Sequence, residues 1–474
     1  MSQPIPINTV INAERGLVVA PAGCGKTELI CESVLHSNFS KPILILTHTT
    51  AGVSALKQRL ARKGVSPKIF RVETIDGWAL KLARLFPLLS AYEQRANARP
   101  DYPDLRVKVC QLLSRGDLSG LIEATYGKVF VDEYQDCSTS QHNTIGWVAE
   151  SVSVVVFGDP LQSIFNFDQN DPLPNWVEVE RVFPGILRLD RPWRWINAGE
   201  DELGEWLLNM RETLLQGRQI DLQDSPANII WHPLTGNFRN DSVSLRREQF
   251  RIRQLCGEDD RFLVIGDSRN RENRHEFARS SNGLNVVEPV ELGDVVTAAL
   301  TIDRAFEGDL LRAVLTFAGR VMTGISVQGV VDRVGSIQAG RNRKPATDLE
   351  NIAIEVIEER SREVVASLLV ALSCDRECRV FRRSALNAMC AALIATDKPL
   401  SDSIISVREQ RRHIGDKRVS KRSIGSTLLL KGLEAEYVLI LNADERNMDA
   451  KNLYVALTRG ARCTSIFSTN SLVG

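Results

Sequence analysis

Residues 16–27 read Gly-Leu-Val-Val-Ala-Pro-Ala-Gly-Cys-Gly-Lys-Thr. The first five are apolar or small and of strand length. The next seven are rich in small residues and close on Gly-Lys-Thr. From Thr27 to Leu35 apolar positions recur at helical spacing. Strand, glycine-rich loop and helix in that order form the context a phosphate-binding loop requires. Small residues let backbone N–H groups approach phosphate oxygens, and the helix start adds its positive dipole end. Lys26 can reach the β- and γ-phosphates, and Thr27 can hold Mg²⁺ through its hydroxyl. Ala22, Gly23, Cys24 and Gly25 supply the cradle. Ala20 stands where the strict pattern has glycine.

Further short runs of Val, Ile and Leu lie at Pro42–Leu46, Lys128–Val131, Val152–Phe157, Arg261–Ile265 and Tyr437–Leu441. They are continuous rather than alternating, as suits parallel strands covered on both faces. Helical patterns such as Val53–Leu60 follow them. Strands alternating with helices predict an α/β, doubly wound architecture, in two clusters. One precedes residue 185; the other flanks a middle segment. Two stretches break the alternation. Residues 78–127 are mostly helix-compatible, with a loop-like Ala96–Pro103. The middle segment is largely helical, as in Asp348–Leu372 and Ser384–Ala395.

At 474 residues, with 43% hydrophobic and 25% charged, the composition is that of a multidomain globular enzyme. There are 59 basic and 59 acidic residues, so a polyanion partner is not signalled globally and must be met by local clusters. The candidates are Arg408–Arg422, Arg341–Lys344, and Arg246-Arg247 with Arg251 and Arg253. The nine cysteines lack paired spacing, no signal peptide or membrane-length apolar run is seen, and a cytoplasmic, membrane-free location is expected.

Two other strands end in chemistry-bearing residues. Lys128–Val131 runs into Asp132-Glu-Tyr-Gln-Asp136, where Asp132 suits the Mg²⁺ shell and Glu133 suits activation of a water. Val152–Phe157 runs into Gly158-Asp-Pro-Leu-Gln162, where Gln162 can sense the γ-phosphate.

Together, Ala20–Thr27, Asp132–Asp136 and Gly158–Phe167 (GDPLQSIFNF) resemble motifs I, II and III of superfamily 1A helicases, the UvrD/Rep/PcrA group. Leu189–Arg194 (LDRPWR) resembles motif IV, Leu430–Glu434 (LKGLE) motif V and Tyr454–Gly460 (YVALTRG) motif VI. The resemblance implies two RecA-like domains with small helical insertions. The first covers 1–185 with an insertion at about 78–127. The second comprises 186–295 and 413–474, with a further insertion at 296–412. It implies ATP and Mg²⁺ as cofactors. Arg194 and Arg459 would reach the γ-phosphate from the second domain, while Gly432 and Glu434 would lie near the nucleotide sugar. Adenine preference is implied by the resemblance alone.

Leu46–Val53 (LTHTTAGV) and Val72–Trp78 (VETIDGW) resemble motifs Ia and Ib, which line a single-strand groove in the family. Thr47, Thr49 and Thr74 would bond phosphates, His48 would stack on a base, and Phe165 and Phe167 would separate bases. Asp168 stands where many relatives have arginine. The implied activity is DNA-dependent ATP hydrolysis driving translocation on single-stranded or partially duplex DNA. The small insertions resemble the UvrD-like proteins of bacterial antiphage systems, of the Gabija GajB type, which work beside an OLD-family ATPase–nuclease. Cutting of DNA is then expected of that partner, since no metal-dependent nuclease set is seen. The alternative is a DNA-sensing ATP switch that regulates the partner without processive unwinding.

Overall fold

A computed structural model describes residues 6–93, 100–165, 169–289, 291–305, 309–395, 398–414, 419–446 and 448–474. The chain forms two compact units: Met1–Ile230 with Met448–Cys463 and Asn470–Gly474, and Trp231–Asn447 with Thr464–Thr469. Each holds a six-stranded sheet, and the fold is α/β with two RecA-like cores, as the alternation of strands and helices implies.

In the first unit the strands are β1 (Arg15–Val19), β2 (Ile43–Thr47), β3 (Phe70–Thr74), β4 (Lys128–Val131), β5 (Val154–Gly158) and β6 (Gly185–Arg188), ordered β3-β2-β4-β5-β1-β6. All their pairings are parallel. β2, β4 and β5 are buried along their whole length, which is why they read as unbroken apolar runs. The edge strands β3 and β6 are half-exposed, and their sequences FRVET and GILR carry no such run. One apolar face packs Ile30, Val34, Ile45, Leu56 and Phe157; the other packs Leu44, Trp78, Leu105, Val131 and Phe183. Each fully buried aliphatic side chain contributes roughly 1.5–3 kcal/mol. Lys128 is itself buried at the start of β4. Its ammonium donates to the carbonyls of Ile11 and Ala13, covering the C-terminal end of the helix Ile7–Asn12. The stretch 78–127 is helical where described: the end of Ile75–Leu85, then Pro87–Ser90, Tyr102–Ser114 and Ser119–Thr125. Part of the loop-like Ala96–Pro103 lies outside the described residues.

The second sheet runs in the order 285–286, 422–425, 262–265, 435–440, 460–468, 229–233. Strand Phe262–Ile265 is parallel to both of its neighbours. The middle segment is a helical body with its own core, including Val314, Leu315, Leu368, Leu369, Met389 and Ile404. The stretch Asp348–Leu372, which reads as one helical pattern, is two helices, Asp348–Glu359 and Arg362–Cys374. Arg360 takes a left-handed conformation at φ 51°, and the Ser361 side chain caps the second helix by accepting from Val364 N–H.

Candidate nucleotide site

All the chemistry-bearing loops of the first unit leave the carboxyl ends of its parallel strands, where open α/β sheets place their ligands. β1 delivers Ala20, β4 delivers Asp132 and β5 delivers Asp159. The loop after β1 needs its glycines: Gly23 (φ +72°) and Gly25 (φ +88°) are both left-handed. Gly23 also lies under an aromatic lid, since a Cβ there would fall 2.5 Å from the Trp195 ring. The helix Lys26–Leu35 starts directly after Gly25, so the N–H groups of its first turn point into the loop.

The loop is braced from outside. Ala22 N–H donates to the Tyr454 hydroxyl at 3.0 Å, and Arg194 N–H donates to the Gly23 carbonyl at 3.1 Å. Trp195 Nε1–H donates to the Gly460 carbonyl at 2.8 Å, and the Arg194 guanidinium donates to the Thr458 carbonyl. The Cys24 thiol is buried within the loop; burial, with Asp159 nearby, pushes it up to about 12, so it stays protonated.

Lys26 sits at the centre. Its Nζ lies 3.1 Å from Asp132 Oδ1 and 2.5 Å from Glu133 Oε1. Burial pulls its pKa down, but the two carboxylates outweigh burial and hold the ammonium well above its ordinary value. Burial pushes the Asp132 carboxyl up against the pull of Lys26. Glu133 is held in a left-handed conformation, φ 55°, ψ 42°. A non-glycine residue there costs of order 1–3 kcal/mol, and such strain concentrates at working sites. The turn is locked by Glu133 N–H donating to Asp132 Oδ1 at 3.0 Å and by Gln135 Nε2 donating to Glu133 Oε2 at 2.5 Å.

Behind these lies a second layer. Gln135 Oε1 accepts from Asp159 N–H at 3.2 Å. Asp159 Oδ2 accepts from Gln162 Nε2 at 3.1 Å, and Asp159 Oδ1 takes a forked bond from Arg211 at 2.8 and 3.1 Å. Arg211 and Asp159 are wholly buried. Gln162 is thus aimed by Asp159, and Asp159 by Arg211. Arg459 is buried at the end of the helix Ala450–Leu457, its Nε donating to the Val455 carbonyl at 2.9 Å. Thr27 is half-buried in the first turn of its helix. Gly432 (φ +82°) and Glu434 belong to the second unit, in the turn between its strands Arg422–Gly425 and Ala435–Ile440.

Sequence reasoning passed over Gln135, Arg211, Tyr454 and Trp195. Gln135 lay inside the quoted acidic motif and Tyr454 opened the last one, so both were within reach. Arg211 carried no local signal, being one charged residue in an amphipathic helix.

The proposed nucleic-acid residues occupy the neighbouring strand ends. Thr47 is buried at the end of β2. Thr49 and Thr74 are helix N-caps, accepting from Gly52 and Gly77 N–H at 3.0 Å each. The backbone N–H groups they cap are therefore not offered to a ligand, while the hydroxyl protons are. His48 Nε2 lies 3.4 Å from the Cys137 thiol, just past the acidic motif. Phe165 is half-buried; Phe167 and Asp168 lie outside the described residues.

Fold and site together place a glycine-rich loop, a buried lysine and two carboxylates at the carboxyl ends of a RecA-like sheet. Residues 83–174 match the family model of the UvrD/REP helicase N-terminal domain. A stretch of 94 residues is 30% identical to one of the subunits of the ATP-dependent helicase/nuclease of Oenococcus oeni, covering 20% of this chain and 8% of that relative. The chain therefore spans a small fraction of that protein's length. Among solved structures, it is similar to an arterivirus nonstructural protein 10 helicase in complex with DNA, at 14% identity and a TM-score of 0.26, over 54% of this chain and 48% of that one. The family match takes in the acidic motif and the Gly158–Gln162 turn but not the loop after β1. No described helix is long and apolar enough to cross a membrane.

Proposed function

We propose that the protein is an ATP-dependent translocase or helicase of the UvrD type, driven along single-stranded DNA by hydrolysis at the loop after β1. The observation that carries this reading is the bridge from Lys26 to both Asp132 and Glu133, set against a loop whose two glycines are already left-handed. A nucleotide's γ-phosphate replaces the carboxylates as the partner of Lys26. That frees Glu133, one hydrogen bond from Gln135, to take a proton from the attacking water. Gln162, aimed by Asp159, reads the γ-phosphate. Arg194 and Arg459 supply guanidinium charge to the transferred phosphoryl group once their present carbonyl partners are exchanged for it. Gly432 and Glu434 contribute toward the sugar. In domain terms we assign 1–185 to a first RecA-like domain with an insertion at 78–127, 186–295 and 413–474 to a second, and 296–412 to its insertion.

The donor set fits Mg²⁺. Thr27 and Asp132 are hard oxygen donors, too few to hold the ion without nucleotide phosphates, which is the usual arrangement for this ion. The Lys26 ammonium already holds a cation's position beside Asp132. Bound there, the ion would neutralise phosphate charge, and Thr27 and Asp132 would orient it.

The same bridge also favours a second reading. With Lys26 tied to two carboxylates, a nucleotide must break two ion pairs to enter, which suits a slow, partner-controlled DNA-sensing switch. The reduced insertions are in keeping with a role in antiphage defence beside an OLD-family nuclease. ATP hydrolysis by the purified chain, with and without a single-stranded oligonucleotide and with Lys26→Ala as control, tests the main reading. Strong stimulation, abolished in Lys26→Ala, is the expected result. Nucleotide binding without stimulation would overturn the motor in favour of the switch.

A further inference from the structure

The helix Phe238–Leu255 of the second unit has the sequence FRNDSVSLRREQFRIRQL, with five arginines against one aspartate and one glutamate. Its buried side carries Glu248, Gln249 and Ile252. Both acidic residues are already engaged: Asp241 accepts from Thr235 N–H and Oγ1–H, and Glu248 holds Arg251, Ser465 and His232. Burial would push the Glu248 carboxyl up, but these partners lower it to well under its ordinary value. Arg251 is thereby neutralised, which removes it from the group of basic residues that the sequence suggested.

The other four arginines are different. At 3.6 residues per turn, Arg239, Arg246, Arg247 and Arg253 fall within an arc of about 120° on the side opposite Glu248 and Asp241. Among the described residues none of these four guanidiniums forms an ion pair or hydrogen bond. In the middle of that arc stand Val243, 66% exposed, and Phe250, 61% exposed. An exposed phenylalanine ringed by unpaired guanidiniums is unusual on a chain whose net charge is zero. Water alone gives no reason for the ring to be there. A flexible polyanion with planar bases does: phosphates pair with the arginines, and a base stacks on the phenyl face.

We infer that the outer face of this helix is a binding surface for single-stranded nucleic acid, separate from the strand-end residues of the first unit, with Arg246 and Arg247 on phosphates and Phe250 under a base. This rests on the proposed reading only for the presence of a nucleic-acid partner. The surface commits to a single strand, because base stacking on an exposed ring needs an unpaired base.

The test is binding of a fluorescein-labelled oligo(dT) to the full chain, followed by anisotropy over a series of KCl concentrations. Arg246→Gln/Arg247→Gln should lower the slope of log K against log salt by about 1.4, at roughly 0.7 per phosphate contact on a single strand, and weaken binding about tenfold at low salt. Phe250→Ala should weaken binding about fivefold or more with the slope unchanged. Arg218→Gln, an exposed arginine of the first unit, should change neither. Wild-type affinity and slope in the double variant would overturn the inference, whether the face is then idle or fits an acidic protein. If the unaltered chain binds oligo(dT) and is stimulated by it while the variants behave like it, the inference falls and the motor reading stands. If the unaltered chain neither binds nor is stimulated, both fall.

Discussion

Each unit of this protein buries a cluster of opposite charges, and the two clusters are built to different ends. In the first, one lysine faces two carboxylates. One of them, Glu133, has a left-handed backbone and a side chain that is 35% exposed. In the second, Arg382 is 2% exposed and grips Glu288 with a fork and Asp294 at 2.7 Å. His275 stands 4.0 Å from Glu288, and the cluster floors a cavity of about 360 Å³ lined also by Arg271 and Arg320. The second cluster joins the helix Arg271–Ser280, the loop after strand 285–286, the helix Gly293–Asp303 and the turn before Arg383–Ile394, so it ties the helical body to the sheet of its own unit. Leu292 (φ 44°) is left-handed just before the helix that carries Asp294, but the charged residues of this cluster are not, and Arg382 grips both carboxylates. In the first cluster the left-handed residue is itself a carboxylate, and its side chain is the more exposed. Burial of charge is common to both; an exposed carboxylate on a strained turn is what separates a site from a clamp.

That contrast can be broken at several points. The largest expected effect is on the clamp. Arg382→Met leaves buried Glu288 with only His275 at 4.0 Å and Asp294 with only a 3.5 Å contact to Arg271, and should cost about 3 kcal/mol or more in urea unfolding of the second unit. Basal ATP hydrolysis by the folded variant should stay near wild type. A loss of hydrolysis without loss of stability would erase the distinction drawn above.

The next effect is in pH. Burial, together with Arg382, holds the His275 imidazole down at about 3, far below its ordinary value. Its folded pKa lies under its unfolded one, so between about pH 6.5 and 3 the unfolded chain binds the extra proton. Stability therefore falls as pH drops through that window, by about 2 kcal/mol at pH 5 from this residue. His275→Gln should flatten that acid limb in thermal melts from pH 4 to 7. An unchanged slope would show that the imidazole is not the titrating group.

The smallest effect sharpens the first cluster. Tyr454→Phe removes the hydroxyl that accepts from Ala22 N–H and leaves a buried donor unsatisfied. We expect about 1 kcal/mol, read as roughly fivefold weaker ATP binding with little change in turnover of the bound nucleotide. A loss confined to turnover would instead give Tyr454 a role in the chemical step.

What the chain concedes to a reader follows the same division. The nucleotide loop, the acidic motif and the Gly158–Gln162 turn are local, so their residues stand next to one another in the sequence. The central strands were legible because burial on both faces leaves unbroken Val, Ile and Leu. The edges were not: β3 keeps Arg71 and Glu73 facing outward, and β6 is exposed at both ends and half-buried between. The break at Arg360 was hidden because an arginine in a left-handed cap has no helix-breaking signature of its own. Arg211 and Arg382 look like surface charges until folding brings Asp159 and Glu288 to them from 52 and 94 residues away. The left-handed turn at Glu133 was equally invisible, since acidic residues at strand ends are ordinary.

The central claim is that Glu133 is the base of an ATP-hydrolysing site while Lys26 and the loop hold the nucleotide. Glu133→Gln keeps the hydrogen bond to Gln135 within reach but cannot accept a proton. With a fluorescent ATP analogue for binding and phosphate release for turnover, the variant should bind nucleotide within a few-fold of wild type and hydrolyse about 10²–10⁴-fold more slowly. Near-normal turnover in Glu133→Gln would contradict the assignment of the base, and with it the reading of the first cluster as a catalytic site.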